Sequence, residues 1–434
     1  MDIPNAFIQT PVHVKPGENR IVMRITGVLV DMLVQLDPGL YGPCVVYEKG
    51  KKVLYVEVLR AIYGMLKSAM LFYNKIKKDL EGQGFKFNPY DPCVANKMVN
   101  GKQQTVTIHV DDLKVSHVDP KVNDQFIKWV EKEYGDPEIG EVKAIRGKKH
   151  DYLGMILDYS SKGEVKIDMT RYVKEMIKEF PVKFEKDDTA ATPATEDLFK
   201  TDDSENLDKQ QAEIFHTTVA KGLFVSKRSR LDIQPTIAFQ CTRVKEPNKT
   251  DWKKLTRLMK YLNGTQDLVL TIQADNLQVI KWYVDAAFAV HPDFKSHTGM
   301  TMTMGKGAMQ SLSRKQKLNT KSSTESELVG ADDASGLILW TALFMEAQGY
   351  PVKENILYQD NKSTILLLEN GKKSSSKRTR HINIRYFFLT DQIEKGNLKV
   401  QYCPTDAMMA DFMTKPLQGK KFIEFRKQIL NLKD

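Results

Sequence analysis

The chain has 434 residues, an apolar fraction of 41% and a formal charge of +10, with a pI of about 9.1. That apolar content excludes an intrinsically disordered chain, and the length calls for two or three compact units. The positive charge favours an acidic partner such as nucleic acid or an anionic surface.

Residues 1–60 read as short strands and loops. A helix is expected from Ser68 to about Glu81, where Phe72, Ile76 and Leu80 recur every four residues. A hairpin follows: Val94–Val99, the turn Asn100-Gly101, then Thr105–Val110. Asn-Gly supplies the positive φ angles of a tight type I′ turn. After Asp111-Asp112 a short strand runs to about His117, and a helix spans Asp124–Tyr134. Residues 181–212 turn to Pro, Thr, Asp, Glu and Lys and read as a surface connection. Helices are expected at 213–227 and 248–263. Near residue 276 a mixed α/β pattern with its own core starts. Its strands are Val279–Phe288, His297–Met304, Ala308–Arg314, Ile356–Gln359 and Leu398–Cys403, and its long helix is Thr324–Gln348. No run reads as long enough to cross a membrane, and the start MDIPNAFIQT lacks the features of a signal peptide. Cys44, Cys93, Cys241 and Cys403 are too scattered for a disulfide framework or a zinc module.

Two groups of carboxylates stand out. Two-metal phosphoryl transfer needs several acids converging on one spot, because hard cations take oxygen ligands and a pair of them clamps attacking and leaving oxygens. Asp2, Asp111 and Asp112 form one candidate set, although Asp is also a common turn residue. Asp285, Glu327, Asp360 and Asp411 form the other. Asp285 interrupts a strand, where an acid must be relieved of its desolvation cost. Each of the others has a structural alternative: a capping box Thr324-x-x-Glu327, an N-cap at Asp360, and a favourable helix dipole at Asp411.

In order along nearly the whole chain, these motifs resemble the reverse transcriptase/ribonuclease H segment of copia-type long-terminal-repeat retrotransposons. DIPNAFIQTPV, AIYGMLKSAMLFY, HVDDL and DYLGMILDYSSKGEVKIDMTRYV are similar to the polymerase landmarks. SRLDIQPTIAF and DWKKLTRLMKYLNGT follow. YVDAAFA, SSTESELVGA, YQDNKSTILL, RHINIRYFFL and ADFMTKPL are similar to the ribonuclease H landmarks. The resemblance implies a multidomain mixed α+β and α/β fold. Its parts are a reverse transcriptase palm with partial fingers and primer grip at 1–175, a helical thumb or connection at 176–275, and a ribonuclease H-like α/β domain at 276–434. It implies Asp2, Asp111, Asp285, Glu327, Asp360 and Asp411 as metal ligands, with Asp112 also catalytic and Glu325 ranked below Glu327. Two Mg²⁺ per active site are implied, with Mn²⁺ the alternative. Gly64, Ser68, Leu153 and Gly154 are implied nucleic-acid contacts. The implied partners are an RNA template, a DNA primer, dNTPs and RNA–DNA hybrid.

Departures from the pattern include His109 where the family has Tyr, and Lys67, Ala69 and Phe72 in the second motif. The first polymerase acid falls at Asp2, and the family's fingers start well upstream of that acid, so the expectation is a palm with truncated fingers and an inactive polymerase half. From residue 276 onward, 23 Lys and Arg against 16 Asp and Glu leave +7 of the total +10. Lys372, Lys373, Lys377, Arg378, Arg380 and Arg385 read as a phosphate-contacting cluster, with His381 beside them. The expected place of action is intracellular, in a cytoplasmic particle or the nucleus, away from membranes. The competing reading is a non-catalytic nucleic-acid-binding remnant or structural subunit.

Overall fold

A computed structural model describes residues 1–12, 20–136, 138, 140–371 and 383–433, with the backbone alone at 383–386. It divides into two compact units, 1–145 and 146–434.

In the first unit, β1 (Val22–Thr26), α1 (Val28–Leu36), α2 (Pro38–Tyr41), β2 (Val45–Glu48) and β3 (Lys51–Glu57) come first. The three strands pair antiparallel in the order β1-β3-β2. Then follow α3 (Ser68–Gly82), β4 (Lys86–Asn88), β5 (Asp91–Val99), β6 (Lys102–His109), β7 (Asp112–Ser116) and α4 (Pro120–Tyr134). Strands β4 to β7 form an antiparallel sheet in sequential order. The four-residue spacing on α3 buries Phe72, Ile76 and Leu80 against Val106 and Ile108 of the sheet and Phe126 and Val130 of α4. Asn100 and Gly101 carry φ of 50° and 70°, the conformation that their side chains tolerate. Helix α4 begins four residues before its expected start. Asp119 accepts the Lys121 N–H and Pro120 occupies the first helical position, so the local capping chemistry outweighs the later apolar periodicity.

The second unit opens with β8 (Lys149–Tyr152), β9 (Met155–Asp158) and β10 (Glu164–Asp168). Four helices follow: α5 (Thr170–Glu179), α6 (Lys209–Ser226), α7 (Gln234–Cys241) and α8 (Lys249–Gly264). Next come β11 (Leu270–Ala274), β12 (Val279–Ala287), β13 (His297–Thr303), β14 (Gly305–Lys306), β15 (Gln310–Lys315) and α9 (Ser323–Ala347). The rest is β16 (Glu354–Gln359), α10 (Lys362–Asn370), α11 (Asn383–Glu394), β17 (Lys399–Tyr402), α12 (Asp411–Thr414) and α13 (Gly419–Leu430). One sheet has the order β14-β11-β10-β9-β8 and the other β15-β13-β12-β16-β17. In the latter, β12 pairs antiparallel with β13 and parallel with β16. Ile280, Trp282 and Val284 of β12 bury against Leu328, Ala331 and Ile338 of α9.

Two sequence expectations are corrected, and the packing runs across the expected boundary at 276. Residues 181–212 are not only a surface connection: Thr192, Ala194, Leu198 and Phe199 are buried, and Phe199 packs on Phe239, His291 and His297. Residue 276 is no break in packing. Phe422, Phe425 and Ile429 of α13 share one core with Met176, Phe215 and Leu258 of the preceding helices, because the terminal helix folds back over them. One described helix, α9, is long and apolar enough to cross a membrane by length and composition, and 44% of its most apolar stretch is buried within the protein. Its apolar residues cover β12 and β13.

Candidate active site

Alternation along β12 puts Trp282 and Val284 in the α9 core and leaves Asp285 for the opposite face. There the acid is 2% exposed. Gly299 of β13 pairs directly with it. A Cβ at Gly299 would lie 2.5 Å from Thr414 Cγ2 and 2.8 Å from the Ala410 carbonyl. The glycine therefore lets α12 press onto the sheet, and the Thr414 hydroxyl donates to Asp285 Oδ2.

The structural alternatives for two acids are taken by their neighbours. Ser322 caps α9 by accepting the Glu325 N–H at 3.2 Å, and Glu325 Oε2 accepts the Lys321 N–H at 2.7 Å. Glu325 thus does the capping work, and Glu327, two residues on, is released to face β12. Asn361 caps α10 by accepting the Thr364 N–H at 3.1 Å, which releases Asp360 at the end of β16.

Asp285, Glu327 and Asp360 offer ligand oxygens that all lie within 4.8 Å of one another. Burial pushes the Glu327 carboxyl well up, Asp285 and Asp360 push it further, and hydrogen bonds from Gln359 and the Ala286 backbone oppose the shift. Burial also raises Asp285; Lys415 pulls it down, while Asp411 and Asp360 add to the rise. Gln359 Nε2 donates to Glu327 Oε2 at 3.2 Å, and Thr405 Oγ1 donates to Asp360 Oδ2 at 3.0 Å. This all-oxygen, desolvated and self-repelling set suits a hard divalent cation.

Asp411 is 1% exposed and stands beside the trio without joining it. Its oxygens accept Lys415 Nζ at 2.5 Å and Lys421 Nζ at 3.0 Å. Lys415 Nζ also lies 3.5 Å from Asp285 Oδ2, so one ammonium bridges the two acids. Gln359, Thr414, Lys415 and Lys421 are the side chains that motif reading missed. Gln359 directly precedes Asp360, and Thr414 and Lys415 lie inside the ADFMTKPL match, so their positions were the available signal.

In the first unit Asp2 bridges to Asp112 on one side and Lys143 on the other. The Ile3 N–H donates to the Asp111 carbonyl at 3.2 Å. His109 pairs with Asp112 across a two-residue turn. Val110 in that turn has φ of 57°, a strained angle for a β-branched residue that costs about 1–3 kcal/mol. The strain is stored at the acidic tip. Burial raises the Asp112 carboxyl, Asp111 and Asp2 raise it further, and the Met1 amino group opposes them. The backbone thus gathers these three acids, yet among the described residues only the trio in the second unit meets within 4.8 Å.

Gly64 has φ of 88° with open space where a Cβ would stand. Ser68 is buried and its hydroxyl donates to the Ile62 carbonyl at 2.6 Å, so it shapes the loop and offers no side-chain group to a nucleic acid. Leu153 and Gly154, with φ of 54° and 76°, form the turn of the β8–β9 hairpin in the second unit. Lys372, Lys373, Lys377, Arg378, Arg380 and His381 lie outside the described residues, as does the side chain of Arg385.

No family model matches the chain. It is 24% identical over 393 residues to the retrovirus-related Pol polyprotein from transposon TNT 1-94 of Nicotiana tabacum, covering 88% of this chain and 28% of that protein. It is 28% identical over 218 residues to the corresponding protein from transposon RE2 of Arabidopsis thaliana, covering 49% and 15%. It is 24% identical over 380 residues to the transposon Ty1-GR2 Gag-Pol polyprotein of Saccharomyces cerevisiae, covering 85% and 21%. The chain therefore spans 15–28% of the lengths of these relatives. Among solved structures, a prototype foamy virus protease-reverse transcriptase aligns with 87% of this chain and 42% of its own, at 15% identity and a TM-score of 0.23. Over most of its length this protein is homologous to the Pol polyproteins of copia-type retrotransposons.

Proposed function

We propose that the chain is an RNA-directed DNA polymerase joined to a ribonuclease H, and that residues 276–434 hydrolyse the RNA strand of RNA–DNA hybrid. The observation that carries this reading is the meeting of Asp285, Glu327 and Asp360 within 4.8 Å, from two strands and a helix far apart in sequence. The strand order β15-β13-β12-β16-β17, antiparallel on one side of β12 and parallel on the other, supports a ribonuclease H-like arrangement.

In this reading Asp285, Glu327 and Asp360 would hold two Mg²⁺ or Mn²⁺, and Asp411, held beside them by Lys415 and Lys421, would be the fourth ligand once it leaves those lysines. Such ions, when bound, supply an activated water and neutralise charge at the scissile phosphate. The chain's own groups prepare the site. Gln359 orients Glu327, Thr414 and Lys415 hold Asp285, and Lys415 keeps the metal-free acids from repelling one another. Selectivity for hybrid comes from 2′-hydroxyl and minor-groove shape contacts, without base reading.

Residues 1–175 are proposed as a palm with partial fingers and primer grip, using Asp2, Asp111 and Asp112 on template, primer and dNTP, and 176–275 as the thumb or connection. Primer extension by the chain, set beside Asp111→Asn, tests that half separately from hybrid cleavage.

The test of the nuclease is cleavage of a labelled RNA–DNA hybrid by the full chain with Mg²⁺, set beside Asp360→Asn. Wild type should shorten the RNA and the variant should not. Intact hybrid after prolonged incubation with folded wild type would overturn the nuclease assignment. Salt-sensitive binding without turnover would instead select the non-catalytic remnant.

A further inference from the structure

Lys281, Tyr283 and Asp285 alternate on one face of β12. Lys281 lies four residues before the acid, roughly 13 Å along the strand. Around Lys281 and Tyr283 the second unit has an open cavity of about 450 Å³, bordered by the turn after β13 and by the end of α13. That size is typical of a small-ligand pocket. Among the described residues Lys281, Lys306 and Lys427 line it together with Tyr283, Thr303 and Asn431, and a Cβ at Gly305 on the same wall would lie 3.0 Å from the Asp275 carboxyl carbon. Among the described residues neither Lys281 nor Lys306 has an ion-pair partner.

The walls are fixed before any ligand arrives. A Cβ at Gly307 would lie 2.2 Å from the Thr271 carbonyl oxygen, so only glycine lets this turn lie against β11. The Ala308 N–H donates to the Ile429 carbonyl at 2.8 Å, which ties the same turn to α13. Lys306 is therefore presented by a braced segment. The Tyr283 ring is stacked on Tyr358, with centroids 4.9 Å apart at 21°. Three ammonium groups around one concavity, with Lys281 and Lys306 free of an ion-pair partner among the described residues, set up a positive potential that an anion relieves. The hydroxyl and amide groups of Tyr283, Thr303 and Asn431 add hydrogen-bonding capacity.

We propose that this cavity is a phosphate-binding site, separate from the acid cluster, that takes a phosphate ester of a nucleotide or polynucleotide strand. It needs neither a metal nor hydrolysis, so it stands or falls apart from the nuclease assignment.

The experiment is calorimetric titration of the full chain in EDTA at low salt with adenosine 5′-monophosphate, with a dithymidine dinucleotide lacking a terminal phosphate, and with adenosine. Binding of the monophosphate, at least about tenfold weaker in Lys281→Gln/Lys306→Gln, is expected, with adenosine silent. Binding of the monophosphate alone identifies a strand end or free nucleotide as the source. Equal binding of the dinucleotide identifies an internal phosphodiester. Lys306→Glu, an exposed charge reversal away from β12, gives the same loss if the double variant unfolds. Unchanged affinity in folded variants, or adenosine binding as tightly as its monophosphate, overturns the site.

Discussion

Gln359 donates to Glu327 at 3.2 Å while its Oε1 accepts the backbone N–H of Asp360 at 2.8 Å and of Asn361 at 3.0 Å. One fully buried amide thus ties the helix acid to the strand-end acid and to the start of α10.

Gln359→Leu removes the donor to Glu327 and strands two backbone N–H groups. Hybrid cleavage should fall about 10–100-fold, as for other groups that orient metal ligands. Denaturant unfolding should show a loss of about 1–3 kcal/mol. Wild-type cleavage by the folded variant would show that Glu327 holds its place unaided.

Lys415 keeps its proton. Burial pulls its ammonium down, but Asp285 and Asp411 hold it above the ordinary value. Lys415→Met should therefore destabilise the metal-free protein, by about 1–2 kcal/mol given the lysine's partial exposure. Mg²⁺ should then raise the melting temperature of the variant more than that of wild type, because the cation replaces the lost charge. Equal shifts in the two proteins would argue against a shared role.

His291 and His297 form a buried pair, 3.0 Å between ring nitrogens, with His297 also 2.8 Å from Ser313 Oγ. Burial lowers them to about 4 and about 3. The unfolded chain therefore binds more protons below pH 6.5, so the stabilisation is complete above that pH and is lost as pH falls towards these values. Between pH 6.5 and 5 the loss is roughly 2 kcal/mol for each histidine. Urea midpoints measured across that range should show the slope, and His297→Phe should flatten it.

Arg230 and Asp232 are fully buried, joined at 2.9 and 2.8 Å, and Asp232 also accepts the Tyr261 hydroxyl. Asp232→Leu leaves a buried guanidinium without its partner and should cost about 3–5 kcal/mol. Arg230→Met/Asp232→Leu should recover much of that loss, a double-mutant comparison that separates the pair's net worth from the cost of breaking it.

The candidate site is partly legible in the sequence. Asp285 stands out as an acid inside an apolar strand, and Asp360 as an acid at a strand end. Glu327 and Asp360 stay ambiguous at that level because Thr324-x-x-Glu327 and a strand-to-helix junction read equally well as caps. Only the adjacent Ser322, Glu325 and Asn361 resolve this, by doing the capping themselves. The motif places Asp411 near the site, but its engagement by Lys415 and Lys421 depends on how α12 packs over Gly299.

By itself the sequence determined what depends on near neighbours: the Asn100-Gly101 hairpin, the apolar stripe of α3, the strand alternation that turns Asp285 away from Trp282, and the motif order. Tertiary structure decided what depends on surfaces distant in the chain. It buried Leu198 and Phe199 in a segment of polar composition, carried α13 back into the helical core across the expected boundary, and set an ammonium between two acids. Periodicity and capping act within a few residues, whereas desolvation and charge pairing depend on which surfaces folding brings together, and that information is spread over the whole chain.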